Sequence, residues 1–105
     1  STFEFIRVLP DLILYVPSAF TPNSDGANDV FLPIFSIPGL VRNYELLIFN
    51  RWGELIFQTT DFRQHWDGTY NGQICQMEVY TWEIRYGVVR KAEKKRLFGK
   101  ITLLK

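Results

Sequence analysis

Apolar and polar side chains alternate most regularly in EVYTWEIRYG at 78–87, where Tyr80, Trp82, Ile84 and Tyr86 share one face and Thr81, Glu83 and Arg85 the other. A period of two marks a strand with one side against a core and the other toward water. LILYV at 12–16 is instead a continuous β-rich run stopped at Pro17. It predicts a well-buried or edge strand whose pairing ends where proline removes a donor. YELLIFN at 44–50 and ELIFQT at 54–59 mirror each other across Asn50-Arg51-Trp52-Gly53 and predict a hairpin. LFGKITLLK at 97–105 puts Leu97, Ile101 and Leu103 on one face, with Gly99 permitting a bend or a close approach.

The remaining segments are less regular. STFEFIRV alternates over 3–8 before Pro10-Asp11 cuts it, so residues 1–11 are expected to be a linker or the end of a preceding domain, with the domain proper at 12–105. VFLPIF at 30–35 has strand composition, but Pro33 confines it to an edge or a bulge, and Ile37-Pro38-Gly39 makes a loop. Residues 61–76 read as a crossing loop with two tight bends, at Asp67-Gly68 and Asn71-Gly72, because these residues tolerate positive φ. KAEKKR at 91–96 is too short and too polar to be a packing helix and reads as a charged connection. About seven short strands with no helical period predict an all-β, antiparallel sandwich.

Composition sharpens this picture only in places. A chain of 105 residues fits one domain able to bury a core without staples, and an aromatic content of 16% favours strands. The net charge of +1 conceals a cluster: Arg85, Arg90, Lys91, Lys94, Lys95, Arg96, Lys100 and Lys105 crowd the C-terminal end against Glu93 alone. A hairpin tip kept soluble by its cations accounts for this, and nucleic acid is not the expected partner. The lone Cys75 excludes an internal disulfide and a cysteine-based zinc cluster, and is expected to be buried or half-buried. No run has the 18 or more apolar residues of a membrane helix, and the first residues lack the pattern of a secretion leader.

Candidate chemistry is sparse. One His65 and one Cys75, with two turns between them, make a poor nucleophile and base, and the carboxylates show no pairing that marks a glycosidase. No enzyme is expected. Asn23, Asp25, Asn28 and Asp29 carry oxygen ligands that Ca²⁺ accepts, and Asn-Ser-Asp-Gly at 23–26 copies part of an EF-hand loop. Thr21 and Leu32 stand where that loop needs Asp and Glu, which leaves a different Ca²⁺ geometry or an Asx-type bend with Gly26 at positive φ. Trp52 at a hairpin tip and Trp66 in a loop can stack on sugar rings, or can pack on Arg51 and plug the sandwich end, respectively. Trp82 belongs to the core face.

The order of the motifs is more specific than any one of them. YVPSAFTPNSDGANDVF, YELLIFNRWGELIFQT, HWDGTYNGQICQMEVYTWEIRY and a closing FGKITLLK resemble, over about residues 12–105, the gliding-motility-associated C-terminal domain of Bacteroidota, the type B sorting domain of the type IX secretion system. Phe20, Thr21, Pro22, Asn23, Asp25, Gly26, Asn28 and Asp29 match the first box, with Ser24 where Gly is usual. Asn50, Arg51, Trp52 and Gly53 match the second, and Trp66, Asp67 and Gly68 the third. Met77-Glu78 replaces the usual Pro-Gly before Val79.

The resemblance implies an immunoglobulin-like sandwich without catalytic residues or a required cofactor. It would follow an upstream cargo protein and direct that cargo through the periplasm and the outer membrane to the cell surface or the medium. Its partners would be the type IX machinery and an outer-membrane receptor. Asn23, Asp25, Asn28, Asp29, Arg51, Trp52, Lys100 and Lys105 are expected to meet that partner, while Phe20, Pro22, Gly26, Asn50, Gly53, Trp66, Asp67 and Gly68 hold the structure. A carbohydrate-binding or Ca²⁺-dependent adhesion module of a surface protein is the alternative.

Overall fold

The computed structural model describes residues 3–22, 29–92 and 94–104. The strands are β1 (Phe3–Leu9), β2 (Leu12–Pro17), β3 (Ala19–Phe20), β4 (Ile34–Phe35), β5 (Val41–Phe49), β6 (Leu55–Thr59), β7 (Thr69–Tyr70), β8 (Gln73–Ile74), β9 (Val79–Val88) and β10 (Lys94–Leu103), with one 3-10 turn at Pro38–Leu40. A sheet ordered β1-β2-β4 faces a sheet ordered β3-β10-β9-β5-β6, and β7-β8 is a separate small hairpin. The expected all-β sandwich is therefore present. Its strands outnumber the expected seven because β3, β4, β7 and β8 have two residues each, too few to leave a period in the sequence.

Leu12, Leu14, Val16 and Phe35 from the smaller sheet meet Leu46, Ile48, Trp82, Ile84, Ile101 and Leu103 from the larger one in a single buried cluster. Burial of apolar area on this scale is the main favourable term in folding. Ile6, Val8 and Leu9 of the β1 segment pack on the same cluster. The register Phe5↔Tyr15 and Ile6↔Leu14 ties β1 to β2 as an antiparallel hairpin.

Several local differences have physical causes. Pro33 shortens the 30–35 run to β4 and a single bridge between Phe31 and Trp66, since proline cannot donate to a ladder. One pairing is parallel: Ala19 and Phe20 lie beside Thr102 and Leu103. The charged 91–96 connection is partly strand, because β10 begins at Lys94, and the turn is closed by Lys91 N–H donating to the Val88 carbonyl at 3.0 Å with Arg90 at φ +68°. Within the expected 61–76 loop, Asn71 at φ +54° and Gly72 at φ +80° turn β7 into β8, as a two-residue hairpin requires.

Glu83 departs from its expected place in water. It lies on the solvent face of β9 but is only 4% exposed, held at Oε2 by Arg85 Nε at 2.6 Å and Arg96 Nε at 3.0 Å. Burial works against its charge, but these two guanidiniums outweigh it and hold the carboxyl below the usual range. A carboxyl lowered in the folded state stabilises the fold fully above its unfolded pKa of about 4.3, and loses that contribution as pH falls through the folded value. Glu83→Gln is expected to cost about 1.5 kcal/mol at pH 7, the lower end for hydrogen bonds to a charged group because both guanidiniums are half-exposed and screened, and to flatten the acid limb of a urea-midpoint profile against pH. An unchanged acid limb would show that Glu83 is not the group responsible.

Candidate functional site: the motif end of the sandwich

Strand direction gathers the sequence boxes. Phe49 pairs with Thr81 and Val79 with Thr102, so the end of β5, the start of β9 and the end of β10 lie at one end of the larger sheet. Phe20 joins them through β3, and Leu104 N–H donates to the Phe20 carbonyl at 2.9 Å. Phe20 of the first box and Phe49, which leads into the second, thus lie at the same end of the larger sheet.

The β5–β6 loop is built by Asn50 and Gly53 and displays Arg51 and Trp52. Asn50 Oδ1 accepts from the N–H groups of Trp52 at 2.9 Å and Glu54 at 3.0 Å, while its Nδ2 donates to Glu54 Oε1 at 2.8 Å. Gly53 sits at φ +79°, in the left-handed region that glycine enters without strain. Its N–H donates to the Asn50 carbonyl at 3.0 Å. Outside this frame Trp52 is 76% exposed. The Arg51 guanidinium lies 4.6 Å from the centre of its ring, as a cation–π pair does, and reaches toward Glu78 at 3.9 Å.

The third box is buried where the second is displayed. Trp66 is 0% exposed, clamped by paired backbone hydrogen bonds with Phe31 at 2.8 and 3.0 Å. Its Nε1 donates to the Thr69 carbonyl at 3.0 Å, so its polar edge is satisfied inside the protein. The Phe20 ring lies 5.3 Å away and the Tyr80 ring 5.1 Å away. This placement corrects the sugar-stacking reading of Trp66: it is a plug, and no ligand can reach its face. Asp67 Oδ1 accepts from Thr69 N–H at 3.1 Å and Thr69 Oγ1 at 2.6 Å. The Thr69 hydroxyl above all holds the Asp67 carboxyl below its usual range. Gly68 has φ +84°, and a Cβ there would sit 3.1 Å from Leu103 Cδ1 and 3.2 Å from Pro22 Cγ. The first box, the third box and the last strand therefore touch at Gly68.

Tyr80 links these parts although no box contains it. Its hydroxyl donates to the Gln76 carbonyl at 2.7 Å, and burial raises its pKa, which keeps it a donor. With Asn50, Trp52, Tyr70, Cys75 and Glu78 it lines a shallow cavity of about 210 Å³ beside the exposed loop. Burial also pushes the Cys75 thiol up, away from the reactive thiolate. The one sequence signal for Tyr80 was its place on the apolar face of the alternating strand.

Of the remaining expected site residues, Asp29 is half-buried at the start of the segment leading to Phe31, and Lys100 lies on the solvent face of β10 with Nζ 3.4 Å from Thr81 Oγ1. Asn23, Asp25, Gly26, Asn28 and Lys105 lie outside the described residues, and with them most of the proposed Ca²⁺ ligands. Among the described residues no three His, Cys, Asp or Glu side chains are grouped to hold a metal ion.

The profile of the type IX secretion signal domain matches residues 14–103, which takes in all three boxes and β10 to its end. The chain belongs to the type IX secretion signal domain family. The secretion-signal resemblance drawn from motif order is borne out by this match. No curated protein matches the chain. As a member of this family the domain serves secretion through the type IX machinery, toward the cell surface or the medium. No helix among the described residues of this secretion signal domain is long and apolar enough to cross a membrane.

Proposed function

We propose that the domain is a non-catalytic address label that follows a cargo protein and carries it from the periplasm across the outer membrane by docking its motif end on an outer-membrane partner. The observation that carries this reading is the division of labour in the second box. Asn50 and Gly53 are spent on holding the loop, while Arg51 and Trp52 are held out into solvent. A 76% exposed tryptophan on a rigid turn contributes nothing to a core and has the chemistry of an interface anchor. Arg51 adds a forked donor set suited to a carboxylate or a carbonyl. A sugar-binding alternative keeps only Trp52, one face of whose ring Arg51 already covers.

The test is a reporter fused ahead of the chain in a type IX-competent cell. The Arg51→Ala/Trp52→Ala pair is expected to leave the urea midpoint within about 0.5 kcal/mol of the parent, as exposed substitutions do. Surface delivery is expected to fall about tenfold or more, the effect of losing an arginine and a tryptophan anchor. Normal delivery by the double variant would remove this loop from the docking surface, and a parent fusion that stays inside would remove the address-label reading itself.

A further inference from the structure

β10 is an edge strand over most of its length. One side pairs with β9 from Lys94 to Thr102. On the other side β3 reaches only Thr102 and Leu103, so from Arg96 to Lys100 no strand among the described residues is paired there. Alternation puts Lys94, Arg96, Phe98 and Lys100 on the solvent face, with Leu97, Gly99 and Ile101 toward the core. Phe98 is 59% exposed and lies under the Arg96 guanidinium, 5.4 Å from its ring centre.

The cations here are arranged at some cost. Arg96 stands directly opposite Arg85 in the β9–β10 register, and like charges in that position are destabilising. Glu83 bridges the two guanidiniums and Glu45 lies 3.4 Å from Arg85, so two carboxylates balance this pair and Lys94 and Lys100 supply the excess positive charge of the face. Beside them Glu45, Arg85, Lys94 and Arg96 border a groove of about 530 Å³. Alternate cations along a strand recur roughly every 7 Å, the same repeat as alternate side chains of a strand laid beside it.

We propose that the open edge of β10, with the cations on its solvent face, accepts an extended acidic peptide segment of a protein partner as an added strand. Backbone N–H and C=O groups in a row are complementary to another peptide strand, which a lipid headgroup or a sugar phosphate does not offer. Carboxylates at alternate positions of that strand meet Lys94, Arg96 and Lys100, and an apolar residue between them covers Phe98. The inference rests on the address-label reading, to which it adds the chemistry of the partner. The rival explanation, that these cations merely keep the edge from pairing, forbids every added strand, including an acidic one.

The test uses the isotopically labelled chain, at low salt, with a capped peptide in which Glu alternates with Val and Thr. Binding is expected to slow amide exchange between Arg96 and Lys100, and to weaken about tenfold or more when alternate peptide nitrogens of the probe are methylated, or in the Lys94→Glu/Lys100→Glu chain, since tenfold is the loss of about 1.4 kcal/mol. Undiminished binding of the methylated probe, capture on phosphatidylglycerol vesicles without peptide pairing, or no peptide binding at all would each overturn the proposal. A chain that pairs with no peptide yet delivers its reporter loses this inference alone. A chain that pairs with the peptide but strands its reporter loses the address-label reading and keeps the edge.

Discussion

Trp66→Ala is expected to destabilise the domain by about 4 kcal/mol, within the range for emptying a fully buried aromatic site. Trp66 is 0% exposed and is wedged between Phe20 and Tyr80, at 5.3 and 5.1 Å, so its removal opens a cavity that neighbours on different strands cannot easily close. The indole also caps the turn through the Thr69 carbonyl at 3.0 Å. Against a total stability of about 5–15 kcal/mol for a domain of this kind, the loss lowers the urea midpoint steeply with little change in slope. Trp66→Phe keeps most of the ring and loses the hydrogen bond, and should fall between the two. A Trp66→Ala midpoint within about 1 kcal/mol of the parent, less than typical large-to-small core losses, would mean that Trp66 does not hold the boxes together.

Gly99→Ala is the second large effect, from the opposite cause. A Cβ at this position would lie 2.3 Å from Cζ2 and 2.5 Å from Cε2 of Trp82, so the indole occupies the space that glycine leaves open. Trp82 is itself buried in the core cluster and cannot step aside without displacing the smaller sheet. Overpacking a tight core typically costs 1–3 kcal/mol, and a clash this close on a buried ring places Gly99→Ala at about 3 kcal/mol. Trp82→Leu in the same chain should restore part of the loss, because the two residues share one volume and their effects cannot add. If the double variant is no more stable than the sum of its single changes allows, the close approach is not the reason that position 99 is glycine.

Much of the fold was legible in the chain because it is written locally. The alternation of Tyr80, Trp82, Ile84 and Tyr86 described β9, and the mirrored runs around 50–53 described the β5–β6 hairpin with Trp52 at its tip. Asn71-Gly72 and Asp67-Gly68 named their own turns, since positive φ restricts the residues that can stand there. The candidate site was legible in part: its boxes were visible, but not which of their residues face inward. Trp52 and Trp66 both follow a polar residue in a loop, yet one is displayed and the other sealed, because Phe31 clamps only the second. Glu83 looked like an ordinary solvent-face carboxylate until Arg96, thirteen positions on, closed over it.

By itself the sequence determined the class of the domain, its larger strands, its tight turns and, through motif order, its family. The class, the strands and the turns depend on near neighbours along the chain, and the family on the order in which those local motifs follow one another. Only the tertiary structure decided that β3 lies parallel to β10, that Trp66 is wedged between Phe20 and Tyr80, and that Gly99 makes room for Trp82. Those contacts join residues distant in sequence, and their existence depends on the volume left after both sheets have packed, a quantity that no local pattern of side chains specifies.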